Sequence, residues 1–266
     1  MGIAGVIGRP PDGLDGAPVG IVYSCAGDAS VAEALRSASS SLAHNRVPHL
    51  LFSSIDVDAE PGLSVVRFEP SANPYLDKIA NMSRSPFART IYLDTDTFVV
   101  DEIVHMLRLL DRYDLAAAYA PAHRGAPDPA VPAAFYEFNT GVLAWRASER
   151  MTTFMRAWHE TYASWLRETP FPGAGLAARR ADQPAFRRCA WEQDVRLFVL
   201  PPEYNFRLGE PGTAVERVRV LHGRRPEYEQ LAARINAKQG PRSWPRRLPL
   251  RARILRRART MVPGSP

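Results

Sequence analysis

Short apolar segments rich in β-branched residues alternate with amphipathic segments along most of this 266-residue chain. The first apolar segment, GIVYSC at residues 20–25, ends in the turn signal Ala26-Gly27-Asp28 and precedes a helical pattern over residues 29–43. Four more follow, HLLFSSID, LSVVRFE, TIYLD and LAAAYA, with helical patterns at about residues 76–82 and 101–110. Because parallel neighbouring strands need a crossover connection, this alternation predicts an α/β fold with a mainly parallel sheet flanked by helices.

The second half of the chain continues the same pattern. FYEFNTGVLAWR predicts two strands around a polar centre, residues 151–167 predict a long amphipathic helix, and VRLFVLPPEYNF and VRVLHG predict late strands. With 45% hydrophobic residues, the chain can bury the core of one large domain. We predict this domain over residues 18–230, between a loose leader at residues 1–17 and a basic tail at residues 231–266.

The first residues, MGIAGVIGRPPDGLDG, do not read as a secretion signal or a membrane anchor, because the apolar stretch is short and breaks at Pro10 and Pro11. The two cysteines, Cys25 and Cys189, lie far apart, and neither has a partner at metal-ligand spacing. This pattern argues against a disulfide framework and favours a reducing compartment. We therefore expect a cytoplasmic protein.

The net charge of +6 is concentrated near the end of the chain. From Arg242 onward, RSWPRRLPLRARILRRARTMVPGSP contains many arginines and no acidic residue. Two interpretations stay open: a solvated tail, or a basic segment that contacts an anionic membrane, such as the inner membrane face, or an acidic partner. The rest of the chain is close to balanced and does not predict a nucleic-acid partner.

Two carboxylates follow a buried strand in the segment IYLDTDTFVV, residues 91–100. Ionised carboxylates at such a place need a cation or a hydrogen-bond network. Asp94 and Asp96 therefore either bind a hard divalent cation, since a chain that turns at a strand end lets both side chains reach one ion, or cap the next helix, as Asp101 also can.

Four further segments accompany this pair, in the order FNTGVLAW, ADQPAF, LPPEYNF and VLHG. Together the five segments resemble those of glycosyltransferases with the GT-A fold, a Rossmann-like mixed sheet, and in particular the glycogenin-like and nucleotide-diphospho-sugar transferase families. The resemblance covers about residues 20–226. It implies a metal-dependent enzyme that moves a sugar from a nucleotide-sugar donor to an acceptor, which is a saccharide, a lipid-linked molecule or a protein, with retention of configuration as the default.

The resemblance also implies a metal site. Asp94-Thr95-Asp96 matches the DxD motif that in relatives holds Mn²⁺ or Mg²⁺ against the donor's diphosphate, and His222 stands where relatives have a further metal ligand. The alternative for His222 is a histidine that merely ends a strand. A divalent ion at this place would neutralise the charge that gathers on the leaving diphosphate.

Several basic and small residues are expected at the donor. Lys78 lies on the helix before the DxD strand, where relatives carry a donor-binding lysine or arginine; the alternative is a solvated helix charge. Arg224 and Arg225 are similar to the basic position near the family's metal histidine, but the spacing differs from that of glycogenin, so the choice between them stays open. Donor contacts are further expected from Ser24, Gly27 and Thr95.

The remaining motifs suggest the sugar side of the site. Asn139 resembles the asparagine that faces the donor sugar in relatives, with Gly141 allowing a close backbone approach; the alternative is an Asn-Thr-Gly hairpin turn. Asp182 and Gln183 resemble the acidic or amide pair beside the anomeric carbon, and are our candidates for catalysis; the alternative for Asp182 is a helix N-cap. The segment LPPEYNF is expected to be mainly structural.

Two other functions compete with this one. YLDTDTFV also approximates the nucleophile motif of haloacid-dehalogenase-type phosphatases, but it lies far from the N-terminus, has Phe98 where Thr or Val is expected, and leaves only Lys238 as the downstream lysine. The other alternative is a non-catalytic module that binds nucleic acid through its arginine-rich tail and has no need of Asp94.

Overall fold

The computed structural model describes residues 18–120, 128–167 and 181–244. Within these ranges the strands are β1 (Val19–Cys25), β2 (His49–Ser53), β3 (Leu63–Arg67), β4 (Arg89–Leu93), β5 (Thr97–Val99), β6 (Leu115–Tyr119), β7 (Phe138–Arg146), β8 (Leu197–Leu200), β9 (Phe206–Arg207), β10 (Gly212–Ala214), β11 (Val220–His222) and β12 (Arg242–Trp244). The α-helices are α1 (Asp28–Leu42), α2 (Pro74–Met82), α3 (Glu149–Arg167), α4 (Gln183–Glu192) and α5 (Tyr228–Asn236). Two 3-10 helices cover Val104–Asp111 and Pro202–Tyr204.

The main sheet has seven strands in the order β3-β2-β1-β4-β7-β6-β8. Of the strands that the structure describes in this sheet, only β7 runs antiparallel to its neighbours, which are β4 and β6. The other neighbouring pairs are parallel. The predicted mixed, mainly parallel sheet is therefore confirmed.

Helices cover both faces of this sheet because its central strands are apolar on both sides. Along β1, Val22 packs with the layer that contains Phe154 and Trp158 of α3 and Phe186 of α4. The neighbouring Ile21 and Tyr23 belong to the layer formed with α1 and the longer 3-10 helix. The alternation of side chains along a strand thus supplies two cores to one sheet.

The segment FYEFNTGVLAWR forms one strand, β7, where the sequence predicted a strand pair. Eight of its nine residues are buried, and it pairs with β4 on one side and β6 on the other. At the polar centre of this segment the pairing of β7 with β6 shifts register between Ala117 and Ala118, as in a β-bulge. A hairpin turn at Asn-Thr-Gly would need a positive φ at Gly141. The φ of Gly141 is not positive, so the chain does not turn there. The segment at about residues 101–110 is likewise a 3-10 helix and not an α-helix.

A small sheet of β5, β11 and β9 lies next to the main one. It pairs His222 with Thr97, directly after the Asp94-Thr95-Asp96 segment. The elements α5 and β12 continue the fold beyond residue 230, where the sequence predicted a tail, because Leu231 and Ile235 pack into the core around β9 and β11. The predicted leader and most of the arginine-rich segment lie outside the described residues.

None of the helices in the described ranges combines the length and the apolar character that crossing a bilayer requires.

Candidate active site

A cavity of about 550 Å³ opens at the edge of the main sheet where β1 and β4 end. Parallel strands end at the same edge, and Ser24 of β1 and Asp94 after β4 both line the cavity. Because β7 is antiparallel to β4, its first residues also lie at this edge, and the backbone N–H of Asp94 donates to the Gly141 carbonyl at 2.8 Å. Polar groups from distant parts of the chain therefore meet here.

Asp94, Asp96 and His222 form a cluster in which one ligand atom of each lies within 4.8 Å of the others. Nε2 of His222 lies 3.2 Å from Asp96 and 3.7 Å from Asp94. Burial by itself would raise the pKa of Asp96, but the hydrogen bond to His222 and the charges of His222, Arg224 and Arg207 hold it well below its usual range. Asp96 is therefore expected to be an anion at neutral pH.

The donor set of this cluster fits a divalent cation. Two carboxylates and one imidazole suit Mn²⁺, and carboxylates also suit Mg²⁺. No other group of three His, Cys, Asp or Glu side chains in the described ranges has this geometry. The sequence predicted that Asp94, Asp96 and His222 lie close together, and their side chains do so in the structure.

Lys78 is buried on α2 and lies between two carboxylates. Its Nζ is 3.0 Å from Asp94 and 3.3 Å from Asp182, and it donates to the Thr140 hydroxyl at 3.1 Å. Burial favours a neutral amine, but the two carboxylates outweigh it and raise the pKa of Lys78 above its ordinary value. The alternative of a solvated helix charge is therefore wrong. Lys78 lines the cavity as part of an ionic network.

Asp182 precedes α4, yet its side chain makes no capping hydrogen bond. Its carboxylate instead accepts from Thr140 at 2.9 Å and pairs with Lys78. Burial raises the pKa of Asp182, an effect that the Lys78 charge opposes. The carboxyl of Asp182 is thus buried within a network that faces the cavity.

Gln183, the next residue, also lines the cavity. Its side-chain oxygen is buried and has no hydrogen-bond partner among the residues that the structure describes. Since a buried polar atom without a partner is costly, this oxygen suits a ligand donor such as a sugar hydroxyl.

The other predicted donor residues divide into two groups. Ser24, Thr95 and Arg224 line the cavity, whereas Gly27, Asn139, Gly141 and Arg225 are not among its lining residues in the described ranges. Asn139 is buried with its side chain bonded to Gly141 and Asn205. Arg225 donates to the backbone carbonyls of Arg224 and Leu208. Gly27 has a φ of 80° and starts the loop into α1, where its N–H donates to Ser54.

The sequence reasoning missed Arg207 and Thr140. Arg207 lines the cavity, and its guanidinium lies 3.1 Å from Nδ1 and 3.2 Å from Nε2 of His222. It directly follows LPPEYNF, so its position after a recognised segment was the available signal. Thr140 connects Lys78 to Asp182, which only the tertiary structure reveals.

The sequence matches no protein-family model and no curated protein. Solved structures match the fold. One of them, an active-site mutant of LgtC, a GT-A glycosyltransferase, is 13% identical over 78% of this chain and 88% of that chain, with a TM-score of 0.51. The predicted GT-A, Rossmann-like fold is thereby confirmed. At this identity the likeness concerns the fold and does not single out the glycogenin-like family.

Proposed function

We propose that this protein is a metal-dependent glycosyltransferase that uses a nucleotide-sugar donor. The observation that carries the proposal is the Asp94, Asp96 and His222 cluster, which lies in a cavity at the carboxyl edge of a GT-A sheet. Open α/β sheets bind their ligands at this edge. The fold match to LgtC supports the same reaction class.

In this proposal Asp94, Asp96 and His222 hold the cation. Mn²⁺ or Mg²⁺ at this place would neutralise the nucleoside diphosphate as it leaves. Arg207 and Arg224 line the cavity beside the cluster and supply positive charge to the same phosphates. Ser24 and Thr95, which also line the cavity, contact the nucleotide.

The sugar lies next to the cation cluster, against Asp182 and Gln183, which also line the cavity. The Gln183 oxygen, which has no partner within the described part of the chain, accepts a hydrogen bond from a sugar hydroxyl. The Asp182 carboxylate is kept in place by Lys78 and Thr140 and faces the region of the anomeric carbon, where it stabilises developing positive charge. Retention of configuration, as in glycogenin-like enzymes, is our default stereochemical assignment.

The two alternative functions gain no support from the structure. Lys238, the lysine that a phosphatase of the haloacid dehalogenase type would need, lies at a separate pocket formed with Trp244 and Arg234. A nucleic-acid-binding module does not account for a buried Lys78 beside Asp94 and Asp182.

The acceptor and the location remain part of the proposal. We propose a cytoplasmic enzyme whose arginine-rich end contacts an anionic membrane surface, which would suit a lipid-linked acceptor; residues 245–266, which carry most of this segment, lie outside the described residues. The alternative acceptors are a saccharide and a protein.

The proposed function is tested by thermal stabilisation with UDP-, GDP- and dTDP-sugars, each with and without Mn²⁺. Ligand binding raises the free energy of unfolding by RT ln(1 + [L]/Kd) and thereby raises the melting temperature. Because the proposed cation holds the diphosphate, one donor is expected to stabilise the protein only when Mn²⁺ is present. Asp96→Asn is expected to abolish this shift, while the matched variant of an exposed ion-paired residue, Asp56→Asn, keeps it. Equal shifts in both variants would contradict the proposal.

A further inference from the structure

A chain of buried hydrogen bonds connects β7 to the imidazole of His222. The backbone N–H of Gly141 donates to the side-chain oxygen of Asn139 at 3.0 Å. The same oxygen accepts from the side-chain nitrogen of Asn205 at 2.8 Å, and the oxygen of Asn205 lies 2.8 Å from Nδ1 of His222. Asn139, Asn205 and His222 are each at most 3% exposed, so water does not compete for these bonds.

The direction of every bond in this chain follows from its first donor. A backbone N–H can only donate, so the Asn139 atom that faces Gly141 is its oxygen. That oxygen requires a donor from Asn205, which turns the Asn205 oxygen toward His222. An amide oxygen can only accept, so Nδ1 of His222 must carry a proton. In the neutral imidazole the lone pair is then on Nε2, the nitrogen nearest Asp94 and Asp96.

We infer that Asn139 and Asn205 are positioning residues that fix the tautomer of His222, so that Nε2 presents its lone pair to a divalent cation. This inference deepens the proposed function and rests on it for the identity of the ligand. It assigns a role to the LPPEYNF segment, which the sequence alone suggested to be mainly structural.

The site needs such a device because its carboxylates favour the opposite tautomer. Asp96 lies 3.2 Å from Nε2, and an anion at this distance attracts a proton to that nitrogen. The lone pair would then be on Nδ1, on the side of Asn205 and away from the cation site. The Asn205 oxygen opposes this by holding the proton on Nδ1, as hydrogen-bond acceptors commonly do for metal-ligating histidines.

Arg207 is compatible with this assignment. A guanidinium can only donate, so it provides no acceptor for a proton on either ring nitrogen. Its Nη1 atom lies 3.1 Å from Nδ1 and 3.2 Å from Nε2, so it is nearly equidistant from the two ring nitrogens and favours neither tautomer, whereas the Asn205 oxygen lies closer to Nδ1, at 2.8 Å.

The test is nitrogen-15 NMR of the full-length, histidine-labelled protein about two pH units above the ordinary histidine pKa of about 6.5. The His222 signals are identified by their loss in His222→Gln. We expect a proton on Nδ1 in the wild type and in Asn205→Asp, which keeps an acceptor oxygen. In Asn205→Ala the proton is expected to move to Nε2. An Nδ1 without a proton in the wild type, or a proton that stays on Nδ1 in Asn205→Ala, overturns the inference.

Binding of Mn²⁺ alone, followed by electron paramagnetic resonance, gives the second measurement. Loss of an outer-sphere partner of a metal ligand typically weakens metal binding by about 10-fold to 100-fold, so Asn205→Ala is expected to lose at least about 10-fold in affinity. Asn205→Asp should bind Mn²⁺ much more tightly than Asn205→Ala.

Asn45→Ala is the matched control, because Asn45 is also buried and hydrogen-bonded, to Ser41 and Ile103, but lies outside this chain of bonds. It should keep both the tautomer and the Mn²⁺ affinity. A loss of affinity in Asn45→Ala equal to that in Asn205→Ala contradicts the inference. A wild type with a proton on Nδ1 that binds no Mn²⁺ contradicts the proposed metal site and supports the tautomer assignment, so the two failures are distinguishable.

Discussion

A β-carbon added to Gly141 would lie 2.0 Å from Cε1 of His222. It would also lie 2.7 Å from a carboxylate oxygen of Asp94, so alanine at this position must displace one of the proposed cation ligands. We expect Gly141→Ala to lower the affinity for Mn²⁺ by about 10-fold or more, measured by electron paramagnetic resonance. Gly209→Ala is the control, because a β-carbon there meets no atom within 4 Å. A folded Gly141→Ala with wild-type affinity would show that the cation binds elsewhere.

Replacement of Lys78 is expected to destabilise the protein. Lys78→Met leaves Asp182 and Asp94 without their buried partner, and breaking a buried ion pair typically costs about 3–5 kcal/mol in the free energy of unfolding. Urea denaturation measures this loss. The double variant Lys78→Met/Asp182→Asn should recover part of it, because the unpaired buried charge is removed.

Lys238→Met provides the comparison, since Lys238 is exposed and lies two residues after the end of α5. It should change the stability by less than about 0.5 kcal/mol. We also expect the folded Lys78→Ala to bind the donor more weakly than Lys238→Ala does. Equal stabilities and equal donor affinities of the two lysine variants would remove Lys78 from the site.

Arg224 and Arg225, which follow His222, are expected to differ in their contribution to donor binding. Arg224 lines the cavity, where its guanidinium pairs with Glu33, whereas Arg225 bonds to backbone carbonyls. A charge-assisted hydrogen bond contributes about 1.5–3 kcal/mol, so Arg224→Gln should weaken binding of UDP with Mn²⁺ by about 10-fold, with Arg225→Gln close to wild type. Isothermal titration calorimetry of the two variants separates them. The reverse order would assign the diphosphate to Arg225.

The stability of the fold should depend on His49. Burial lowers the pKa of His49 to about 4, whereas the unfolded chain has a value of about 6.5. The unfolded state therefore binds the proton more readily, and the stability contributed by neutral His49 is complete above pH 6.5 and lost progressively as the pH falls toward 4. The loss amounts to about 3 kcal/mol.

Chemical denaturation of the wild type, His49→Gln and His44→Gln between these pH values checks this. His44 is exposed on the turn after α1 and serves as the control. Only His49→Gln should reduce the dependence of the free energy of unfolding on pH. A profile that keeps its full slope in His49→Gln would assign the acid sensitivity to other groups.

The arginine-rich end of the chain is expected to bind anionic membranes. We predict that the full chain pellets with anionic vesicles and that a version ending at Trp244 does not; this end point keeps β12, which pairs with β10. Each arginine near an anionic surface contributes about 1 kcal/mol, and raised salt should weaken the binding. Equal pelleting of both versions, or pelleting insensitive to salt, would exclude membrane contact and leave the glycosyltransferase proposal unaffected.

The main sheet was predictable from the sequence because its strands, such as β1 and β4, are short apolar runs between helical patterns. The strand β7 was misinterpreted because Asn-Thr-Gly is typical of a hairpin turn, and only pairing with two neighbours at once makes a bulge the better solution. The elements α5 and β12 were assigned to a tail because no local pattern shows that α5 packs against β9 and β11 or that β12 pairs with β10.

The candidate site was only partly predictable for a related reason. Asp94, Asp96 and His222 belong to segments with recognisable local patterns, and the structure brings them together. Arg207 and Asn205 lie in segments whose composition does not indicate their partners. The contact of Lys78 with Asp182 joins residues far apart in sequence, so no local pattern could reveal it.

The position of His222 at the end of β11 has a consequence for the synthesis of the protein. The first strands of the main sheet are translated early, whereas the imidazole that completes the cation cluster leaves the ribosome only after almost the whole described chain. A nascent chain that contains β1 to β4 therefore still lacks the full ligand set. Premature termination before β11 would release a chain that has Asp94 and Asp96 but lacks the imidazole of this cluster.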